Sequence, residues 1–109
     1  METKEEIQKI LNDIPKVENM TSSNGNEIPN QFIIKGKLGK GDFVLFQSYK
    51  SPIAMSVFDG RVSKTYIFRD WEYSTTTGKY RNEFLGETKK ETLAKLKSGH
   101  YVAVDFELD

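Results

Sequence analysis

Hydrophobic and polar positions follow two different periods along this chain, and the change of period divides it. Ile7, Ile10, Leu11 and Ile14 recur at i, i+3, i+4 and i+7, the spacing of one helical face. Thr3 and Glu6 supply a T-x-x-E start signal ahead of that stripe. Pro15 stops it, because the residue before a proline disfavours helical backbone. A helix is therefore expected within residues 1–15, its stripe packed on the rest of the domain; binding of a partner is the competing use of such a stripe. Residues 19–30 combine Ser, Asn, Gly and Pro around the turn dipeptide Asn24-Gly25, so residues 16–30 are expected to form a loop.

From Gln31 the period becomes two. Residues 31–38, 43–50, 52–58 and 61–68 each predict a strand, separated by the turns Gly39-Lys40-Gly41-Asp42 and Asp59-Gly60. Connections this short make an antiparallel meander with one face on a core and the other partly wet. Helical signals then return. Ser74 to Thr77 offer N-caps, Tyr80 and Phe84 are i, i+4 neighbours beside Leu85, and Gly86 suits a helix end. Thr88 and Glu91 form a second T-x-x-E box before Leu93, Ala94 and Leu96, and Gly99 closes that helix. Alternation resumes over Tyr101 to Leu108 as a last strand. The order predicts an α+β fold in a single domain, residues 1–109. An antiparallel sheet of about five strands packs with the N-terminal helix and two short helices in the C-terminal half, residues 31–109 forming the core.

Composition acts mainly by exclusion. With no cysteine and a single histidine, His100, disulfide scaffolds, thiolate metal sites, Cys nucleophiles and multi-His zinc sites fall away. No cofactor, metal or catalytic residue is assigned. Apolar runs are far shorter than the ~20 residues of a spanning helix, so no membrane association is expected. The N-terminal METKEEIQK carries charges of both signs and no apolar signal region, which points to a cytoplasmic protein. Net charge is zero but unevenly spread. Residues 1–34 hold six acids against three bases, residues 35–81 four against nine, and residues 82–109 six against four. A basic middle between acidic flanks is compatible with an anionic partner or with ordinary charge mixing.

Candidate chemistry is sparse. Gly36-Lys37-Leu38-Gly39-Lys40-Gly41 lacks phosphate-loop spacing and no helix follows it, so it is a hairpin turn. His100, at a helix-to-strand junction, suits the helix end better than general-base work. The acids Asp70 and Glu72, or Asp105, Glu107 and Asp109, could bind Mg²⁺ or exchange protons, but alternating acids more simply line a wet strand face. The most unusual stretch runs from Arg69 to Asn82. It places Trp71, Tyr73, Tyr80, Arg69, Arg81 and Lys79 around the hydroxyl-rich Ser74, Thr75, Thr76 and Thr77. A helix N-terminus there favours anions, and aromatics beside cations can stack on bases. In the alternative, Trp71, Tyr80 and Phe84 belong to the core and the hydroxyls cap the helix.

Three motifs carry a resemblance: Phe46-Gln47-Ser48-Tyr49-Lys50-Ser51-Pro52-Ile53-Ala54; Trp71-Glu72-Tyr73-Ser74-x-Thr76-Thr77-x-Lys79-Tyr80 followed by Phe84-Leu85-Gly86; and Lys97-x-Gly99. Over about residues 30–108 the chain resembles a small domain of unknown function that recurs in bacteriophage and other mobile-element genomes. That family supplies no established activity. The resemblance implies a small protein of an infected or element-bearing bacterial cell, with the N-terminal helix an addition to the matched part.

The expectation is a non-enzymatic accessory protein that occupies a host macromolecule, a host protein first, as an inhibitor of a host factor or defence system. A nucleic-acid-binding module is the alternative, and a nucleotide-binding protein with an enclosed pocket near Ser74–Thr77 is the third reading. The contact residues would be Tyr49, Lys50, Arg61, Lys64, Arg69, Trp71, Tyr73, Ser74, Thr76, Thr77, Lys79 and Arg81. The nucleic-acid reading requires the bases among them to share one face. The sequence leaves the oligomeric state open, and a homodimer through an exposed Phe43–Tyr49 edge is compatible with it.

Overall fold

The computed structural model describes residues 3–108. Its elements run α1 (Lys4–Asp13), β1 (Lys16–Thr21), β2 (Glu27–Leu38), β3 (Gly41–Ser48), β4 (Ser51–Phe58), β5 (Ser63–Phe68), α2 (Thr75–Leu85), α3 (Lys89–Lys97) and β6 (Tyr101–Val104). The fold is α+β, and one six-stranded sheet takes its strands in chain order. Neighbours from β1 to β5 are antiparallel; β6 lies parallel to β5, at the end of the crossover that contains α2 and α3. A parallel neighbour needs such a long connection, because the chain must return to the starting end of the sheet.

Four expectations are corrected. The segment 16–30 is not a loop: β1 pairs with β2 from Lys16↔Lys35 to Thr21↔Glu27, closing through a turn in which the Gly25 N–H donates to the Ser22 carbonyl. Asn24-Gly25 is the turn dipeptide, as its residues predict, with Gly25 at φ +82°. The added strand makes the sheet six-stranded rather than five-stranded, and the parallel seating of β6 beside β5 makes it mixed rather than wholly antiparallel. The last strand ends at Val104, because Asp105 adopts φ 63° and turns the chain; Phe106 then stacks on Trp71 at 6.4 Å between ring centroids.

The fourth correction concerns α1. Thr3 caps it, accepting from the Glu6 N–H at 3.1 Å, so the start signal works as read. Yet no residue of α1 is buried, and Ile7, Ile10, Leu11 and Ile14 are all 44–56% exposed. The Cα radius of gyration is 15.8 Å, against about 13 Å for a compact domain of this length. The helix stands away from the body instead of packing on it.

Both other helices lie on one face of the sheet. Phe46, Ala54 and Ile67 are in register across β3, β4 and β5, fully buried, and share the core with Tyr101 of β6, with Trp71, and with Leu96 and the half-buried Phe84 of the helices. The Phe46 and Phe84 rings are 5.8 Å apart. Truncating any of the buried aliphatics in this layer to Ala would cost about 2–5 kcal/mol. On the opposite face Ile34, Leu45, Met55, Tyr66 and Val102 form one transverse row, all partly exposed.

Caps set the helix ends that shape the site. Ser74 caps α2 by accepting from the Thr77 N–H, and Gly86 ends it in the left-handed region at φ 69°, where glycine carries no Cβ penalty. Thr88 and Glu91 close a complete reciprocal box at α3. The β4–β5 turn is held by Asp59, whose carboxylate accepts from the Arg61 and Val62 N–H groups. Those two bonds keep its carboxyl below its ordinary value.

Candidate functional site: a hydroxyl-lined cleft

The β3–β4 hairpin and the start of α2 bound an open cleft of about 810 Å³. From the hairpin come Ser48, Tyr49, Lys50 and Ser51; from the α2 entry come Tyr73, Ser74, Thr76 and Thr77; Asn30 and Phe32 of β2 and the buried Ile53 complete it. Volumes of this order suit a small organic ligand.

A short hydroxyl chain joins the two sides. Ser74 Oγ donates to Thr77 Oγ1 at 3.1 Å, and Thr77 Oγ1 lies 2.9 Å from Ser48 Oγ. Thr77 is fully buried and Ser48 nearly so, and the Thr77 hydroxyl is the side-chain partner of Ser48. The hairpin tip is fixed by the Tyr49 N–H donating to the Asn30 carbonyl at 2.7 Å. Asn30 and Tyr49 both hold left-handed backbone, at φ 64° and 55°. Asn tolerates that region, whereas a tyrosine there costs energy, which the surrounding contacts offset. Tyr49, half exposed, joins the lining from the hairpin, and Tyr73, 71% exposed, joins it from the entry to α2.

The sequence-predicted residues separate into three groups. Tyr49, Lys50, Tyr73, Ser74, Thr76 and Thr77 come together in the cleft. Trp71 and Arg81 are buried and outside the cleft lining, the guanidinium 5.0 Å from the indole ring centre and donating to the Trp71 carbonyl and to Asn82 Oδ1. Burial lowers the Arg81 pKa from its ordinary value. Arg61, Lys64, Arg69 and Lys79 lie apart from the cleft lining. Arg61 is in the β4–β5 turn, Lys64 sits over Tyr66, Arg69 donates to the Asp105 carbonyl and Lys79 sits over Tyr80. Of the other bases in the middle of the chain, Lys35 and Lys37 pair with Glu18 and Asp42. The bases therefore do not gather on the cleft.

The other candidates have ordinary surroundings. Gly39 and Lys40 are a hairpin turn between β2 and β3. The exposed His100 stacks on Tyr101 at 5.7 Å. Glu72 pairs with Lys89 at 2.7 Å. Asp109 lies outside the described residues. No helix among the described residues is long and apolar enough to cross a membrane.

Two features were not marked by sequence reasoning. Gln31 is fully buried opposite Ser48, and its amide makes no hydrogen bond within the described chain. Glu87, whose carboxylate is almost fully buried, accepts from Lys95 Nζ at 2.6 Å, Thr92 Oγ1 at 2.6 Å and Tyr101 Oη at 2.8 Å, tying α3 to β6. Burial alone would raise the Glu87 pKa; the bonds from Lys95, Thr92 and Tyr101 outweigh it and hold the group below its ordinary value.

Comparisons with curated proteins and with solved structures found no match. Among protein families, one of unknown function matches residues 15–99. The span leaves out α1 and takes in the whole lining of the cleft. The chain belongs to that family of unknown function, DUF8033.

Proposed function

We propose that this protein is a non-enzymatic binding module whose ligand, of the nucleotide class, enters the cleft between Tyr49 and Tyr73. The carrying observation is the Ser48–Thr77 hydrogen bond, which brings the two motif segments into one cavity. Two tyrosines of the lining offer ring faces for stacking, Lys50 offers a cation, and Ser74 and Thr76 offer hydroxyls and the start of a helix. Among the described residues the lining offers hydroxyl, amide, ammonium and aromatic groups, the chemistry of contact with a ligand.

Titration with adenosine and AMP, followed by calorimetry and thermal melting, tests this reading. Saturable binding that Tyr73→Ala weakens about tenfold, the worth of one stacking contact, is the expected result. No binding at millimolar ligand, or binding indifferent to Tyr73→Ala, would refute it.

A second reading is favoured by the bare apolar stripe of α1. In it the protein acts as a phage or mobile-element accessory in a bacterial cytoplasm, and α1 seats on a host protein. Loss of a captured host protein on Ile10→Asp, with adenosine and AMP failing to bind, would favour it over the first.

A further inference from the structure

Ser74 also borders a second, smaller recess of about 440 Å³. Arg81 and Lys89 supply its cations, Glu72 its one carboxylate, and Thr75 and Gly78 the first turns of α2. Its charge balance is unusual. Arg81 is only 2% exposed, yet among the described residues no carboxylate forms an ion pair with it. Its bonded acceptors, the Trp71 carbonyl and Asn82 Oδ1, are neutral, and its Nε–H has no acceptor among the described residues. The acid in the recess, Glu72, is engaged by Lys89 at 2.7 Å. A buried cation without a counter-charge is strongly disfavoured unless something compensates it.

Two backbone features point the same way. Thr75 opens α2, so its N–H has no partner within the helix ladder, and the first turn contains no acidic residue. Gly78 sits inside the helix, where glycine is unfavourable relative to alanine. A Cβ at Gly78 would lie 3.7 Å from Arg81 Nη2, so its methyl would rest in van der Waals contact with the guanidinium. The glycine keeps that space open.

We propose that this recess is a subsite for a phosphoryl group, held by Arg81, Lys89 and the start of α2. The group can be free phosphate or the phosphate of a ligand whose ring occupies the adjoining cleft; only the second source rests on the nucleotide reading. A dianion there supplies a directly bonded counter-charge, where Glu72 and Glu87 act on Arg81 only through space, and accepts from a guanidinium already fixed by Trp71 and Asn82.

The test is a titration of the full chain with inorganic phosphate at constant ionic strength, with chloride as the control, followed by the Arg81 Nε–H resonance. A saturable shift with phosphate alone is expected. Lys89→Gln, at an exposed side chain, should weaken binding about tenfold. Gly78→Ala should raise the melting temperature while weakening phosphate binding, a combination that a purely structural glycine would not give. AMP and adenosine distinguish the sources. AMP binding more tightly than either phosphate or adenosine places the phosphoryl group on a nucleotide. Phosphate binding with no adenosine or AMP affinity upholds the subsite and refutes the nucleotide cleft. Adenosine binding without any phosphate effect does the reverse. No saturable shift with phosphate, or a shift unchanged by both Lys89→Gln and Gly78→Ala, overturns the proposal.

Discussion

The hydroxyls of Ser48 and Thr77 lie 2.9 Å apart although 29 residues separate them in the chain. That contact couples the end of β3 to the first turn of α2. Thr77→Val removes the buried hydroxyl and leaves Ser48 without its partner, so a loss of about 1–3 kcal/mol is expected in chemical denaturation. Ser48→Ala should cost about the same, and the double variant clearly less than the sum, with a coupling of roughly 1 kcal/mol. Additive losses would show that the two hydroxyls do not act as a pair.

Gln31 gives the opposite expectation. Its buried amide has no partner within the described chain, and such a group carries a desolvation cost. Gln31→Met keeps the shape and removes the polar atoms. A gain of about 1–3 kcal/mol is expected from equilibrium unfolding in urea. A loss of stability would mean that the amide is satisfied in solution.

Glu87 predicts a pH dependence. Its folded-state pKa is held below the ordinary value of 4.5, so its contribution is present above pH 4.5 and is lost as the pH falls through the depressed value. Unfolding curves between pH 6 and pH 3 should show wild type losing more stability than Glu87→Gln over the acid part of that range. At neutral pH the variant should be about 1–3 kcal/mol less stable, since Lys95, Thr92 and Tyr101 all lose a charged acceptor. Parallel pH profiles for the two proteins would contradict the assignment.

The helix α1 should be dispensable for stability. Ile10→Asp alters a side chain that is more than half exposed, so its effect on the melting transition should stay within about 0.5 kcal/mol. Leu96→Ala, in the buried layer, should cost about 2–5 kcal/mol in the same experiment. A large loss for Ile10→Asp would show that α1 packs on the domain after all.

Local signals made much of this architecture legible. The capping residues Thr3, Ser74 and Thr88, the terminal Gly86, and the Asn24-Gly25 and Asp59-Gly60 turns act through a few neighbouring atoms, so their residues announce them. What stayed hidden depends on distant partners. The strand β1 has only Val17 and Met20 as apolar positions and is defined by its pairing with β2. The stripe of α1 marks a helix but says nothing of what covers it. Nine of the cleft residues lie in the motifs that stood out, yet Arg81 looks like a surface cation, because arginine is so seldom buried. Its burial follows from the Trp71 ring and carbonyl above it, a relationship that spacing alone does not reveal.

The parallel seating of β6 beside β5 has a consequence in time. Strands β1 to β5 each pair with the next in the chain, so their contacts close short loops. The last pairing spans the whole α2–α3 crossover and begins at Thr65↔Tyr101, a closure that is entropically slower to reach. Both walls contributed by α2, to the cleft and to the Arg81 recess, belong to that crossover. As the chain leaves a ribosome the meander can assemble first, and the cleft and the recess take shape only when the C-terminal strand arrives.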